Sequence, residues 1–225
     1  MTTAEDAPPK GRAAPLPPQE RRAAILLAVQ PVLLERGAAV TTRELAEAAG
    51  VAEGTLFRVF DDKVTLIRAA VWTAIDPVEA VPEIDGVDRS LPLRDRLVNL
   101  MELGFARMDT TMRWMTLLHE VVRHQPPPDR ENRMRDWGRR QEAGNAAVRA
   151  AVERVIGPDA DSLRLPVTDS VDLFTTVLVG ATMQAVDAHR RGLDHDPPDA
   201  ERLVDLILHG IALAPHAQPE PERSA

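Results

Sequence analysis

Between Thr41 and Lys63 the chain reads TTRELAEAAGVAEGTLFRVFDDK, and several of its polar side chains are of types that can meet a nucleic acid. On the second half of the segment Arg58 is the side chain able to pair with guanine through two hydrogen bonds, and Thr55 can meet a thymine methyl or a phosphate. Lys63, at the start of a predicted helix, can meet a phosphate beside the positive helix terminus. Glu53 can accept from cytosine, or it can serve the dipole of the helix it opens.

Such contacts need elements that hold them. Thr41 followed three residues on by Glu44 is the pattern of a capping box, so a helix is expected from about Thr42. Leu45 and Ala49, four apart, share a face of it, and Gly50 supplies the conformational freedom for a sharp exit. The turn is Gly50 to Ala52. A second helix is expected from about Glu53, burying Leu56, Val59 and Phe60. Ala46 is the small residue needed where the two helices cross. Two short helices joined by so brief a turn have the geometry in which the second lies in the major groove; an ordinary helical hairpin would not need cap, small crossing residue and turn Gly together. Before this unit, residues 18–36 place Ile25, Leu26, Val29, Val32 and Leu33 on one helical face, with a kink expected at Pro31 and an end at Gly37. After it, Asp62 is placed to cap a helix over residues 63–75, with Leu66, Ile67, Ala70 and Val71 on one face.

The run from Arg21 to Ala70, with GVAEGTLFRVF followed by DDKVTLIRAAV, resembles the TetR (tetracycline repressor) family of bacterial transcriptional regulators. The resemblance implies an all-α chain: an N-terminal three-helix helix-turn-helix domain that binds DNA, plus a C-terminal helical domain that dimerises and binds an inducing small molecule. It places base and phosphate contacts on Thr42, Ala52, Glu53, Gly54, Thr55, Phe57, Arg58 and Lys63. Two positions depart from the family pattern. Phe57 stands where a Tyr hydroxyl usually reaches phosphate, and Val59 replaces a common His.

Composition frames this reading. The 225 residues include 27 basic and 35 acidic side chains, net −8, which alone argues against a nucleic-acid binder. The charge is unevenly spread: residues 10–72 hold nine basic and seven acidic side chains, whereas residues 73–225 hold 18 and 26. The positive balance of the first stretch is small, so modest non-specific affinity is expected. Aromatics are 3% of the chain while Ala, Leu and Val dominate its apolar content, which favours helix. There is no Cys, hence no disulfide framework or thiolate metal site, and the first 20 residues lack the apolar core of a signal peptide. No apolar run is long enough to span a bilayer. The expected setting is the cytoplasm.

Catalytic patterns are missing. HEVVRH at 119–124 is similar to the zinc-protease signature, but its two His are five apart, about 140° around a helix, and cannot share a metal on one face. No nucleophile elbow, phosphate loop or dinucleotide fingerprint is present. No enzyme, catalytic residue, metal or cofactor is expected.

The chain divides into a disordered arm (1–19), the helix-turn-helix domain (20–75), a linker rich in proline and acid (76–92), a helical domain (93–214) and a tail (215–225). Helices are expected over 93–124, 130–156, 168–191 and 200–214. The large, adaptable side chains of that domain are Met101, Phe105, Met108, Met112, Trp114, Met115, Leu118, His119 and Trp137. Residue by residue they suit plain core as well as a pocket, and the resemblance favours a pocket for the domain. In the last two helices Gly180 and Ala181 allow close approach, while Val177, Met183, Leu206 and Ile211 supply apolar area for a four-helix homodimer interface. The expected function is a repressor that leaves a palindromic DNA operator when a small apolar or aromatic effector binds. A helical interaction protein that kept the scaffold and lost sequence-specific binding is the alternative.

Overall fold

A computed structural model describes residues 17–123, 130–193 and 196–210, and among them the secondary structure is entirely helical. The helices are α1 (Pro18–Ala28), α2 (Gln30–Arg36), α3 (Thr42–Ala48), α4 (Glu53–Val59), α5 (Lys63–Ala74), α6 (Val81–Asp85), α7 (Leu93–Val122), α8 (Arg130–Ile156), α9 (Val167–Arg190) and α10 (Ala200–His209). Among the described residues no helix is long and apolar enough to cross a membrane. The chain forms two compact units. The first takes residues 17–74 and 113–123 of the described chain, the second residues 75–112 and the described part of 130–210, so α7 is divided between the units after Met112.

In the first unit α1 and α2 lie against α5. The helix expected over residues 18–36 is broken at Val29, because Pro31 has no N–H to continue the ladder and starts α2 instead. Ile25, Leu26, Val29 and Leu33 are buried as their spacing required; Val32 is exposed less than a surface residue but is not part of the sealed core. Gly37 ends α2 at φ 61°, a backbone conformation that costs glycine little. On α5, Leu66, Ile67, Ala70 and Val71 are sealed from solvent, and Asp62 caps the helix by accepting from the Thr65 N–H at 2.6 Å. Trp114, Leu117 and Leu118, from the second half of α7, are also buried in this unit.

The second unit is built on α8, against which α6 and α9 pack. Residues 76–92, expected as a linker, fold instead as a 3-10 turn (Pro77–Ala80) and α6. Pro77 and Pro82 stand in the first two positions of helical turns, where the missing N–H is harmless, and Asp76 caps the first by accepting from the Val78 N–H at 3.1 Å. Ile84 and Val87, three apart, are buried in the core with Leu97, Met101, Val155 and Phe174. Close approach explains two glycines of this unit: a Cβ on Gly104 would fall 2.5 Å from Leu178 of α9, and one on Gly144 would fall 3.0 Å from Pro77. Arg96 is the buried cation of this unit. It donates to the Val155 carbonyl at 2.6 Å and pairs with Asp159, closing the C-terminal end of α8. The residues after α8, expected as a loop, begin with a 3-10 helix over Gly157–Ser162. The last helix ends at His209 rather than Ala214, because Gly210 takes a left-handed C-cap at φ 78°; residues 211–214 lie outside the described residues, as do the tail and residues 1–16 of the arm.

Candidate nucleic-acid interface

The first unit carries the site. Thr41 accepts from the Glu44 N–H at 3.2 Å while the Glu44 carboxylate accepts from the Thr41 N–H at 2.8 Å and from its hydroxyl at 2.9 Å, a complete capping box at the start of α3. These two bonds from Thr41, the N–H first, hold the Glu44 carboxyl below its ordinary range. Arg36 adds an ion pair to Glu44 at 3.5 Å. Leu45 and Ala46 are buried. The exit is set by Gly50 at φ 63°, and the Val51 N–H returns to the Ala46 carbonyl at 3.0 Å. Ala52 is the N-cap of α4; it offers no side-chain acceptor, so the helix is held by burial of Leu56 and of its C-cap Phe60. Val59 is half-buried rather than enclosed.

What remains outside is the outer face of α4. Ala52, Glu53, Gly54, Phe57 and Arg58 are exposed, while Thr42 and Thr55 are half-buried. A Cβ on Gly54 would meet nothing within 4 Å, so the backbone there is bare to an approaching surface. Phe57 leaves 44% of its surface in solvent, unusual for a ring that could have been folded inward. Among the described residues the Arg58 guanidinium has no hydrogen-bond or ion-pair partner, so its donors stay available. Lys63 differs. Its Nζ donates to the Ala38 carbonyl at 3.2 Å, which ties the start of α5 to the segment before α3 and leaves two ammonium protons for another acceptor.

Two residues of this unit were not singled out in the sequence. Arg43 is exposed on the first turn of α3. Arg22 of α1 reaches α4 over 37 positions of sequence, and no local periodicity signals such a contact.

The expected effector-pocket residues fall in both units. Met101 is fully buried in the core of the second unit, with Phe105 packed against that core, and Met108, Met112 and Trp137 half-buried. In the first unit Trp114 and Leu118 are buried, while Met115 and His119 are exposed. Of the expected self-association residues, Gly180 is exposed with open space around it, Met183 is 44% and Leu206 39% exposed, and Ala181 is half-buried. Val177 packs against its own unit's core, whereas Leu173 and Val179, passed over in the sequence, are exposed on the same helix. Ile211 lies outside the described residues.

Residues 31–70 match the family of bacterial regulatory proteins called tetR. No curated protein matches the chain. Among solved structures, the reduced form of NemR from E. coli is 16% identical, with 85% of this chain and 98% of that one covered at a TM-score of 0.51. FadR from Bacillus subtilis, in complex with stearoyl-CoA, is 14% identical over 84% of this chain and 99% of that one, at a TM-score of 0.49. The fatty acid degradation regulator FadR from Bacillus halodurans is 15% identical over 85% and 96%, also at 0.49. At such identities the likeness to NemR concerns the fold alone. The family match is independent of it and spans both α3 and α4. Residues 31–70, folded as a helix-turn-helix with its supporting helices, match the tetR family of bacterial regulatory proteins.

Proposed function

We propose that the chain is a DNA-binding repressor whose first unit reads a palindromic operator through α4, and whose second unit dimerises and takes up a small apolar or aromatic effector. The observation that carries the reading is the outer face of α4. Its backbone is bare at Gly54, its one guanidinium at Arg58 has no partner among the described residues, and the helix-turn-helix behind it is closed by the capping box, Gly50 and the buried Leu56. Thr42, Ala52, Glu53, Gly54, Thr55, Phe57, Arg58 and Lys63 are the contact set, with Arg58 on base edges and Lys63 on phosphate. With Phe57 in place of a phenol, that position meets DNA by apolar contact, for which a thymine methyl is suited.

Release follows from population shift. An effector that prefers the arrangement in which two reading heads are mis-spaced draws the dimer off DNA by its difference in affinity for the two arrangements. Selection of bound fragments from genomic DNA of the source tests the reading. The expected outcome is an enriched inverted repeat with half-sites one helical turn or a multiple apart. Enrichment of no sequence over scrambled duplex would transfer the chain to the class of helical interaction proteins.

A further inference from the structure

Arg22 lies outside the exposed face of α4 yet is joined to it twice. From α1, its Nη1 donates to the Val59 carbonyl at 3.2 Å, and its guanidinium carbon stands 4.3 Å from the centre of the Phe60 ring. Val59 is the last residue of α4, and Phe60 is its C-cap, 2% exposed. The last carbonyls of a helix have no partner within it, and the end they form is negative. Arg22 therefore brings a donor to a carbonyl left without a partner in the helix, and a second positive charge beside that of Arg58 in the last turn.

α4 has little else at its ends to hold its direction. It is seven residues long, its N-cap Ala52 makes no side-chain cap, and its C-cap is an extended Phe rather than a left-handed Gly. A helix this short has no independent stability, so its direction depends on what grips it. Leu56 anchors the middle; Arg22 anchors the end that carries Arg58. A planar guanidinium can stack on a ring and donate in its own plane at once, which an ammonium cannot.

We propose that Arg22 is a positioning residue for sequence reading. Its guanidinium, stacked on Phe60 and bonded to the Val59 carbonyl, sets the direction in which α4 presents Arg58. The inference rests on the proposed reading of DNA by α4. It assigns Arg22 no contact with DNA, and that separates it from a phosphate-binding cation.

The test compares wild type, Arg22→Met and Arg22→Lys, each as the full chain, on a selected operator and a scrambled duplex at several salt concentrations. Arg22→Met keeps the apolar stem and loses the fork; Arg22→Lys keeps the cation. Titrations are run well below each variant's melting temperature. The operator-to-scrambled ratio is expected to fall about tenfold or more in Arg22→Met, as for loss of a charge-assisted hydrogen bond, and less in Arg22→Lys. The salt slope should be unchanged in both. Amide exchange should quicken over Glu53–Val59 in Arg22→Met and not over Thr42–Ala48. Should Arg22→Met fail to fold, Arg22→Lys carries the same comparison. A wild-type ratio in a folded variant overturns the assignment and leaves Arg22 a stabilising residue. A salt slope reduced by about 1 per subunit overturns it in favour of a phosphate contact. A wild-type ratio of one on every selected sequence overturns the reading of DNA itself, and the inference with it.

Discussion

Arg58 and Lys63 are both cations of the first unit, but the fold treats them differently. Arg58 is exposed and has no partner among the described residues, so its truncation should be felt on DNA and hardly in the fold. Arg58→Ala is expected to cost about 1–3 kcal/mol per half-site and to relax preference at one symmetric base position. Lys63 already spends one proton on the Ala38 carbonyl. Lys63→Ala should weaken operator and scrambled duplex alike, reduce the log–log salt slope by about 1 per subunit, and also lower the melting temperature. Titration of both variants on the two duplexes across salt concentrations checks the pair. An unchanged operator-to-scrambled ratio in Arg58→Ala would remove its base-reading role, and an unchanged slope in Lys63→Ala would leave that residue a structural tie.

At the scale of the element, the reading unit depends on carboxylates at helix starts. Glu44 caps α3 and its carboxyl is held below the ordinary 4.5, first by the Thr41 N–H; Asp62 caps α5 and is held below 3.8, first by the Thr65 N–H. A lowered folded-state value means that the stabilisation is complete above the ordinary value and is lost as pH falls through the folded one. The caps should therefore weaken on acidification below about pH 4, with no counterpart on the alkaline side. Glu44→Gln keeps an acceptor for the Thr41 N–H but does not titrate. Its melting temperature is expected to fall less steeply than that of wild type between pH 5 and pH 3, roughly the window of carboxylate protonation. Equal slopes in differential scanning calorimetry would show that the Glu44 cap contributes nothing to the pH dependence.

At the scale of the whole molecule, α9 and α10 leave apolar side chains in water. Leu173, Val179 and Met183 on α9 and Leu206 on α10 are each about two-fifths exposed, and Gly180 and Ala181 between them allow close approach. Apolar area of this kind suits a partner, and in the proposed dimer a second copy of the same pair would complete a four-helix layer. Met183→Glu with Leu206→Glu should convert a dimer to monomers in sedimentation. Operator affinity should fall with it, since the second half-site then no longer profits from the tether. A wild type that sediments as a monomer across micromolar concentrations would end this proposal. Val177 is the wrong residue for that test, because it packs against its own unit's core.

Local rules made the helix-turn-helix legible before any coordinates. A capping box acts across three residues, Gly50 acts on its own dihedral angles, and the small Ala46 sits at a distance from Leu56 that two short helices dictate; none of these needs the rest of the chain. The all-helical class was legible too, from period and composition. Tertiary structure decided what depends on residues far apart. Residues 76–92 read as linker because proline and acid dominate them, yet Ile84 and Val87 find the core of the second unit, and the burial of two side chains outweighs a local pattern without period. Met101 suited pocket or core by its type alone, and its burial beside Leu97, Val155 and Phe174 depends on helices distant in sequence. Val177 and Val179 differ by two positions on one helix, about 200° of rotation, so a small error in placing the face exchanges an inward for an outward side chain. Arg22 is the clearest case, since its partners Val59 and Phe60 lie 37 and 38 positions away and become neighbours only when α1 and α4 are packed in one unit.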